Sequence, residues 1–445
     1  MPTAEAHSAI QPLLERLADA RRQSDALFGI IKPEFIFERP IPERHRIIFY
    51  VGHLEAFDWN LLHQVFGAQD FHPEFDRLFA FGIDPVGGGL PNDQPSAWPS
   101  LPAVRGYVRD IRNRLDEKLA ADLDPVRYTR DGFGLDTLLN VAIEHRLMHL
   151  ETLAYMFHQL PLAIKIKQPS SEDLAPGPCS PSTIRIPAGP VTLGLSCNED
   201  TFGWDNEFES HTDDVPGFDI DRYMVTNGQF LEFMNQGGYQ NGSFWKDDDW
   251  SWKAANGILH PVFWKRSGDQ WLCRTMFEEV ELPLDCPVYV SQAEASAYAR
   301  WAGKALPSEA QWNRAAFETS DQAERFYPWG NQEPTSRLGN FDFAHWDPTP
   351  VNAHPAGRSA FGVEGMLGNG WEWTSTLFGP YEGFRPFPFY RGYSADFFDG
   401  KHFVMKGGSP RTAACMLRPT FRNWFQAHYQ YVYAGFRCVN NEPKE

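Results

Sequence analysis

The chain has 445 residues, 42% of them hydrophobic, which is too long for one ordinary core and predicts at least two globular domains. Its formal net charge of −18 repels phosphate backbones and anionic lipids, so we expect neither nucleic acid nor a membrane as a partner. No apolar stretch approaches the roughly 20 residues that span a bilayer, the N-terminus lacks a secretory pattern, and six cysteines without CxxC spacing indicate reduced thiols in a cytoplasmic protein.

Residues 1–166 predict a four-helix bundle, because apolar residues recur there at three- and four-residue spacing. The four predicted helices are 4–28, 42–66, 100–121 and 135–160. Ser100 is the predicted N-cap of the third helix. The connection at 81–100 is long for a bundle, and long connections often carry function.

The fourth helix contains the sequence EHRLMHLETL, residues 144–153. His145 and His149 lie about one turn apart on one face, where two imidazole nitrogens can bind one ion. His53, in the middle of the second helix, is the third candidate ligand, because facing bundle helices build such sites from inward side chains. Glu151 is rotated about 200° from His149, so we expect it to orient a ligand or to face a neighbouring element.

Structural roles for these histidines stay open at this point. An HxxxH pair also occurs as two surface histidines, and a single buried histidine such as His53 is more often a hydrogen-bonded core residue than a ligand. Neutral imidazoles suit Fe, Zn, Cu and Ni, so the spacing does not select the ion. Three protein ligands leave coordination positions open, which indicates catalysis.

Residues 167–183 are rich in Ser, Pro and Gly and predict a linker. From residue 184 to 445 the pattern changes to short β-like runs and turns. The clearest strands are predicted at 183–194 and 402–408, and one clear helix at 291–304. The pattern predicts an α+β domain with much irregular structure, so the chain combines an α domain with an α+β domain.

Seven motifs follow one another between residues 184 and 439: IPAGPVTLG, YMVTNGQFLEFM, PVYVSQAEASAYARWAGKALPSEAQWNRAA, YPWGN, FGVEGMLGNGWEWTS, VMKGGSP and AGFRCV. In this order they resemble the formylglycine-generating, sulfatase-modifying-factor (FGE-sulfatase) domain, which implies a C-type-lectin-like fold. Formylglycine-generating enzymes use a cysteine pair after the Gly-Gly-Ser run. This chain has only Cys415 there, so we expect that oxidase chemistry to be absent.

A four-helix bundle with a His…HxxxHxE set, fused to this domain, resembles the DinB-like nonheme iron sulfoxide synthases of ergothioneine biosynthesis (the EgtB type). The resemblance implies that His53, His145 and His149 bind Fe(II) and that Glu151 completes the pattern. It also implies O2 as a co-substrate and hercynine, the trimethylated betaine of histidine, as the acceptor.

The resemblance further implies which side chains bind hercynine. Arg422, Asn423 and Trp424 match the family's Arg-Asn-Trp run, in which the Asn contacts the substrate carboxylate and the Trp lies beside it. Phe425 and Met148 are further candidate contacts. Aromatic faces suit the quaternary ammonium of hercynine, which cannot donate hydrogen bonds.

The donor is predicted from charges that this chain lacks. Members that use cysteine or γ-glutamylcysteine carry arginines in the loop after the second helix and a charged residue near the Arg-Asn-Trp run. Here the loop at 82–94 has no arginine, and residues 425–429 carry no formal charge when His428 is neutral. A buried carboxylate without a partner is disfavoured, so the sequence favours a neutral selenosugar, as in the selenoneine synthases (the SenA type). Other arginines could still supply the charge, namely Arg385, Arg411 or Arg418.

The loop tyrosines that serve some members as proton donors are also missing, which leaves three candidates: Tyr390, Tyr393 and Tyr429. Four alternatives to a selenoneine synthase stay open. They are a C–S bond-forming sulfoxide synthase, a zinc-dependent DinB-like thiol transferase, a non-enzymatic binding module and a residual formylglycine-generating enzyme.

Overall fold

The computed structural model describes residues 4–80, 91–120, 128–169, 179–197 and 201–441. The chain divides into two compact units, Met1–Gln168 and Pro169–Glu445. The division lies two residues beyond the predicted end of the bundle at 166. Most of the predicted linker, 170–178, and much of the predicted loop, 81–90, lie outside the described residues.

The first unit is helical. Its helices are α1 Ala4–Phe28, α2 Ile47–Leu62, α3 Pro73–Leu78, α4 Leu101–Leu119 and α5 Leu135–His158, with a short antiparallel pair β1 Thr129–Arg130 and β2 Phe133–Gly134 before α5. The long helices α1, α4 and α5 match the predicted ones closely. Helix α1 packs along α5, and α2 packs along α4.

The predicted bundle core forms because the apolar stripes face inward. In α4 the buried positions recur every three or four residues: Val104, Tyr107, Ile111, Leu115 and Leu119. Burial of each such aliphatic side chain stabilises the fold by about 1.5–3 kcal/mol. Ser100 caps the helix, as predicted, and its side chain accepts a hydrogen bond from the Ala103 N–H.

The predicted start of the second helix at residue 42 is wrong. Helix α2 begins at Ile47, and the backbone of Arg46 before it is extended. The Arg46 guanidinium donates to the Phe37 carbonyl at 2.8 Å and to the Asp93 carboxylate at 3.0 Å. These contacts hold the chain before Ile47 out of the helix. At the other end, residues 63–67 form turns instead of a last helical turn.

The short helix α3 was not predicted, although its sequence carries start signals. Pro73 occupies the first turn, Glu74 and Asp76 follow it, and the His72 side chain accepts a hydrogen bond from the Phe75 N–H. The Asp76 carboxylate accepts a hydrogen bond from the Tyr107 hydroxyl at 2.7 Å, which ties α3 to α4.

The second unit is a set of small sheets with short helices. Its helices are α6 Asn227–Asn235, α7 Asp247–Ala255, α8 Gln292–Trp301 and α9 Glu309–Phe317. Its strands are β3 Thr183–Ile186, β4 Gly189–Leu193, β5 His211–Val215, β6 Phe218–Asp221, β7 Trp264–Ser267, β8 Gln270–Arg274, β9 Glu279–Glu281, β10 Gly370–Leu377, β11 His402–Gly408, β12 Asn423–Gln426, β13 Ala434–Gly435 and β14 Val439–Asn441.

The largest sheet has the strand order β12-β11-β10-β13. The other sheets have the orders β14-β6-β3, β7-β8-β9 and β4-β5. The predicted runs at 183–194 and 402–408 appear as β3, β4 and β11, and the predicted helix at 291–304 as α8. The edge strand β12, antiparallel to β11, carries the Asn-Trp-Phe segment.

Three helices of the second unit escaped prediction because each is only nine residues long. Two of them carry a capping box that the sequence shows: Thr226 with Gln229, and Ser308 with Gln311. Across the described part of the chain, no helix combines the length and apolar character needed to cross a membrane.

Candidate functional site

Three buried histidines of the first unit converge on one point. His53 comes from α2, and His145 and His149 lie one turn apart on α5. The Nε2 atom of His149 is 3.2 Å from Nε2 of His53 and 3.1 Å from Nε2 of His145. One ring nitrogen from each of the three residues lies within 4.8 Å of the others. The three side chains, at most 4% exposed, therefore form one compact nitrogen cluster.

A backbone carbonyl fixes the orientation of the His53 ring. Nδ1 of His53 lies 2.7 Å from the carbonyl oxygen of Phe79. A carbonyl only accepts, so Nδ1 carries the hydrogen, and in the neutral ring the lone pair lies on Nε2. This nitrogen points at the cluster. The pattern is that of a metal ligand whose other N–H is held by the protein.

Aromatic rings enclose the cluster. The ring of Phe49 stacks on His53 with a centroid distance of 4.8 Å, and Phe57 lies parallel to His145. Tyr50 contributes a third ring, 5.8 Å from His149. These apolar faces keep water from the histidines and so favour their neutral forms.

The pKa directions follow from this enclosure. Burial lowers the pKa of His53 to about 4, although the hydrogen bond to the Phe79 carbonyl partly opposes the shift. Burial also lowers the pKa of His145 and of His149 well below the ordinary value, and the neighbouring imidazoles add to the effect. All three rings are therefore neutral at pH 7, as metal ligands must be.

The nitrogen spacing fits a shared cation. With metal–nitrogen bonds of about 2.0–2.1 Å, nitrogens 3.1 and 3.2 Å apart subtend roughly 95–105° at the ion. This range lies between octahedral and tetrahedral angles. Three imidazoles on one side of an ion leave the opposite side for other ligands. The donor set suits iron or zinc and does not choose between them.

A buried ion network holds α2 against α5 beside the cluster. Arg146, which follows His145, lies 2.7 Å from the Asp58 carboxylate and 2.9 Å from that of Glu55. Arg112 of α4 also pairs with Glu55, at 2.7 Å. Burial opposes the ionisation of Glu55, but these arginines outweigh it and lower its pKa to about 2. This network was not predicted from the sequence, because its partners are far apart in the chain.

The two other candidates of α5 are not among the three residues of the nitrogen cluster. Glu151 is 6% exposed, and its carboxylate is not part of the group of three ligands. Met148 is half-buried, and in the sequence it lies between His145 and His149. The cluster is thus made of imidazoles alone.

The Arg-Asn-Trp run lies in the second unit, at the start of β12. The buried guanidinium of Arg422 donates from Nε to the Glu309 carboxylate at 2.9 Å, and from Nη1 to the Gly379 carbonyl at 3.0 Å. Burial opposes the charge on Glu309, but Arg422 outweighs it and the pKa of Glu309 is lowered. Oδ1 of Asn423 accepts a hydrogen bond from the Trp424 N–H at 2.8 Å. That bond occupies the amide oxygen, and the NH2 group is the donor of this side chain.

Strand alternation sorts the remaining candidates onto two faces. Successive side chains of a strand point to opposite sides, so Asn423 and Phe425 share one face of β12 and Trp424 has the other. Phe425 stacks on Tyr429 at 4.7 Å. On the other face, the ring of Trp424 lies 5.4 Å from the ring of Tyr393.

Tyr390 belongs to the Trp424 group as well, because its ring is 5.5 Å from Tyr393. On that face Trp424 also stacks on Phe378 at 4.1 Å. Tyr429 is therefore the one predicted proton-donor candidate whose ring packs on the same face as Asn423.

Comparison with known sequences identifies both halves. Residues 16–153 match the model of the DinB superfamily, and residues 171–442 match the sulfatase-modifying factor enzyme 1-like domain. These matches, with the helical first unit and the mixed second unit, confirm the predicted fold class of a DinB-like bundle followed by an FGE-sulfatase domain.

Three relatives are similar to this chain over 56–93% of its length. A hercynine oxygenase of Mycolicibacterium smegmatis is 33% identical over 86% of this chain and 90% of that protein. A hercynine oxygenase of Mycobacterium tuberculosis is 41% identical over 56% of this chain and 58% of that protein. Ergothioneine biosynthesis protein 1 of Neurospora crassa is 27% identical over 93% of this chain, which corresponds to 56% of that protein. The chain thus spans less than two thirds of the last two relatives.

Proposed function

The chain belongs to the hercynine oxygenase family, and from that membership we propose that it is a nonheme Fe(II)- and O2-dependent oxidoreductase that forms a C–Se bond between hercynine and a selenosugar. The observation that carries this proposal is the convergence of His53, His145 and His149 through their Nε2 atoms.

The proposed reaction balances with one O2 per coupling. The C2–H bond of the hercynine imidazole and the Se–H bond of the donor break. A C2–Se bond and a Se=O bond form, and the second oxygen atom leaves as water with the two hydrogens. The substrates lose four electrons in total, which reduce O2 to the oxidation level of water.

The histidines bind the ion without first losing a proton, because burial holds them neutral. Phe49 and Phe57 shield them from water. A bound Fe(II) would relay electrons from the substrates to O2 and would offer open positions to the acceptor imidazole and the donor. The protein's own contribution is to position the substrates and to exclude water.

Hercynine recognition is proposed for the β12 segment of the second unit. The Asn423 carbonyl oxygen already accepts a backbone hydrogen bond, so its NH2 group is the part that can donate to the hercynine carboxylate. Trp424 and Phe425 of the same segment are proposed as apolar contacts. We propose that Arg422 acts indirectly, since its guanidinium pairs with Glu309 and so holds the start of β12 in place.

A neutral donor is supported by the partners of the arginines. Arg418 donates to the Glu207 carboxylate at 2.8 Å, and Arg411 to the Phe343 carbonyl at 3.0 Å. Both guanidinium groups thus already have hydrogen-bond partners within the second unit. Arg385, the third arginine considered, is exposed. In the first unit, Arg46 pairs with Asp93 at the described end of the 82–94 loop. A donor carboxylate would have to compete for these cations, whereas a selenosugar would not.

The strongest alternative is C–S bond formation with cysteine or γ-glutamylcysteine. It is favoured by the Neurospora crassa relative, which is named as an ergothioneine biosynthesis protein. A zinc-dependent thiol transferase is a second alternative, because the three-imidazole set also suits zinc.

The deciding experiment loads metal-free protein with Fe(II) under anaerobic conditions and adds hercynine, O2 and one of three donors. Mass spectrometry should find the coupled selenoxide product with the selenosugar. Product from cysteine or γ-glutamylcysteine alone would reject the selenium assignment. Zinc-loaded protein that transfers a thiol without O2 consumption would reject the oxidase. His149→Ala should abolish product, and His63→Ala, a buried histidine outside the cluster, should retain it.

A further inference from the structure

The carbonyl that orients His53 belongs to a residue held on several sides. Phe79 follows Leu78, the last residue of α3, as its C-cap, and the Phe79 N–H donates to the Phe75 carbonyl at 3.0 Å. Its ring is fully buried and packs nearly parallel to Trp98 at 6.2 Å and to Tyr107 at 5.8 Å. A ring enclosed in this way restricts the backbone to which it is attached.

Another side of the Phe79 ring lies directly against the backbone of α2 at Gly52, the residue before His53. A Cβ atom at Gly52 would lie 2.6 Å from three ring atoms of Phe79, namely Cγ, Cδ1 and Cε1. Carbon atoms do not approach this closely without displacement. Glycine is among the least favourable residues inside a helix, so its place in α2 has a packing reason. It allows the ring to come close enough for the Phe79 carbonyl to reach Nδ1 of His53.

We propose that Gly52 and Phe79 are positioning residues of the metal centre: the packing of the ring on the glycine places the carbonyl that holds His53 as the Nδ1–H tautomer, with Nε2 directed at the cluster. A neutral imidazole otherwise exchanges between two tautomers, and the Nε2–H form cannot present a lone pair there. The inference rests on the proposed iron site, but it concerns residues that touch neither the ion nor a substrate.

The first test needs no variant. Nitrogen-15 NMR of the histidine rings in the metal-free wild-type protein at pH 7 should show His53 as a single tautomer protonated at Nδ1. A His53 signal of the Nε2–H form, or of a mixture of the two, would overturn the proposal.

The second test measures affinity for Fe(II), anaerobically and by competition with a chromophoric chelator. Loss of a contact that orients a ligand typically costs about 10- to 100-fold in metal affinity, and we expect this loss for Gly52→Ala. Phe79→Ala should also weaken binding and allow the second tautomer. Gly106→Ala is the matched control, because a Cβ there meets only Arg109 Nη2, at 3.8 Å. It should bind Fe(II) like the wild type.

The double variant separates this mechanism from general destabilisation. If Gly52→Ala acts through the ring, adding it to Phe79→Ala should cost less than about twofold in affinity, because the clashing atoms are gone. The proposal would be contradicted if the double variant lost Fe(II) affinity by the product of the two single losses. It would also be contradicted if Gly52→Ala kept the wild-type affinity and tautomer. If Gly52→Ala does not fold, the proposal is tested by the His53 tautomer in the wild type and by the Fe(II) affinity and tautomer of Phe79→Ala.

These readouts need no substrate. Tight Fe(II) binding with a fixed tautomer, but without oxidation of hercynine by the loaded wild type, would support the positioning role and reject the proposed function. Catalysis together with a mixture of tautomers would support the function and reject the positioning role.

Discussion

The Nε2 atoms of His53 and His149 lie 3.2 Å apart, although the residues are separated by 96 positions in the chain. The fold therefore brings the nitrogens to ligand spacing before any ion is considered. At this distance two neutral imidazoles can share one N–H···N hydrogen bond, and both are buried at a cost in solvation. Such an arrangement is typical of a site built for a ligand.

Acid should destabilise the metal-free protein through these histidines. Burial lowers the pKa of His53 to about 4, whereas the unfolded chain titrates near about 6.5. The folded state thus binds fewer protons, so stability is complete above about pH 6.5 and is lost as the pH falls towards about 4. For His53 alone the loss is roughly 3 kcal/mol. Urea unfolding between pH 7 and 4.5 measures it.

His53→Gln provides the comparison for that acid effect. The free energy of unfolding of this variant should depend less steeply on pH than that of the wild type. The difference in slope should correspond to about one bound proton. Equal slopes in the wild type and the variant would contradict the lowered pKa.

Arg146→Met should cost both stability and metal. The substitution leaves Glu55 and Asp58 buried without their shared cation, and breaking such a pair typically costs about 3–5 kcal/mol. Helices α2 and α5 would also lose their connection next to the cluster, so affinity for Fe(II) should fall. Chemical unfolding and metal titration check the two effects. Wild-type stability in this variant would show that the network is not structural.

Asn423→Ala should raise the KM for hercynine by roughly 10- to 100-fold, the range expected for loss of a hydrogen bond to a charged group. The side chain is half-buried, so unfolding should change little. Steady-state kinetics with hercynine as the varied substrate measures the effect. An unchanged KM would remove Asn423 from the proposed binding site.

Tyr429→Phe should lower kcat more than Tyr393→Phe does. Tyr429 packs on Phe425, on the face of β12 that carries Asn423, whereas Tyr393 packs on Trp424 on the other face. Loss of a proton donor typically costs about 10²- to 10⁴-fold in rate. The reverse order in single-turnover rates would move the proton donor to the Trp424 face.

Local patterns predicted part of the site, and tertiary contacts supplied the rest. The one-turn spacing of His145 and His149 is visible in the sequence because both lie on α5. Their meeting with His53 depends on the packing of α2 against α5, which periodicity alone does not give. The position of His53 in the middle of a predicted bundle helix made it the candidate, the family resemblance implied the same ligand set, and the structure shows the three nitrogens together.

The elements that position the cluster were the hardest to predict. The Phe79 carbonyl comes from the end of a six-residue helix, too short for a periodic signal. Arg146 would be expected on a solvated helix face, yet it is fully buried because Glu55 and Asp58 offer it carboxylates from α2. In the second unit, α6 and α9 were missed although their capping boxes are in the sequence.

The most direct test of the central claim is the Fe(II) stoichiometry of the purified protein, measured anaerobically together with hercynine-dependent O2 consumption. We predict one tightly bound Fe(II) per wild-type chain, and loss of both the bound iron and the O2 consumption in each of His53→Ala, His145→Ala and His149→Ala. Catalysis by iron-free protein, or full iron occupancy in any of these three variants, would contradict the three-histidine centre.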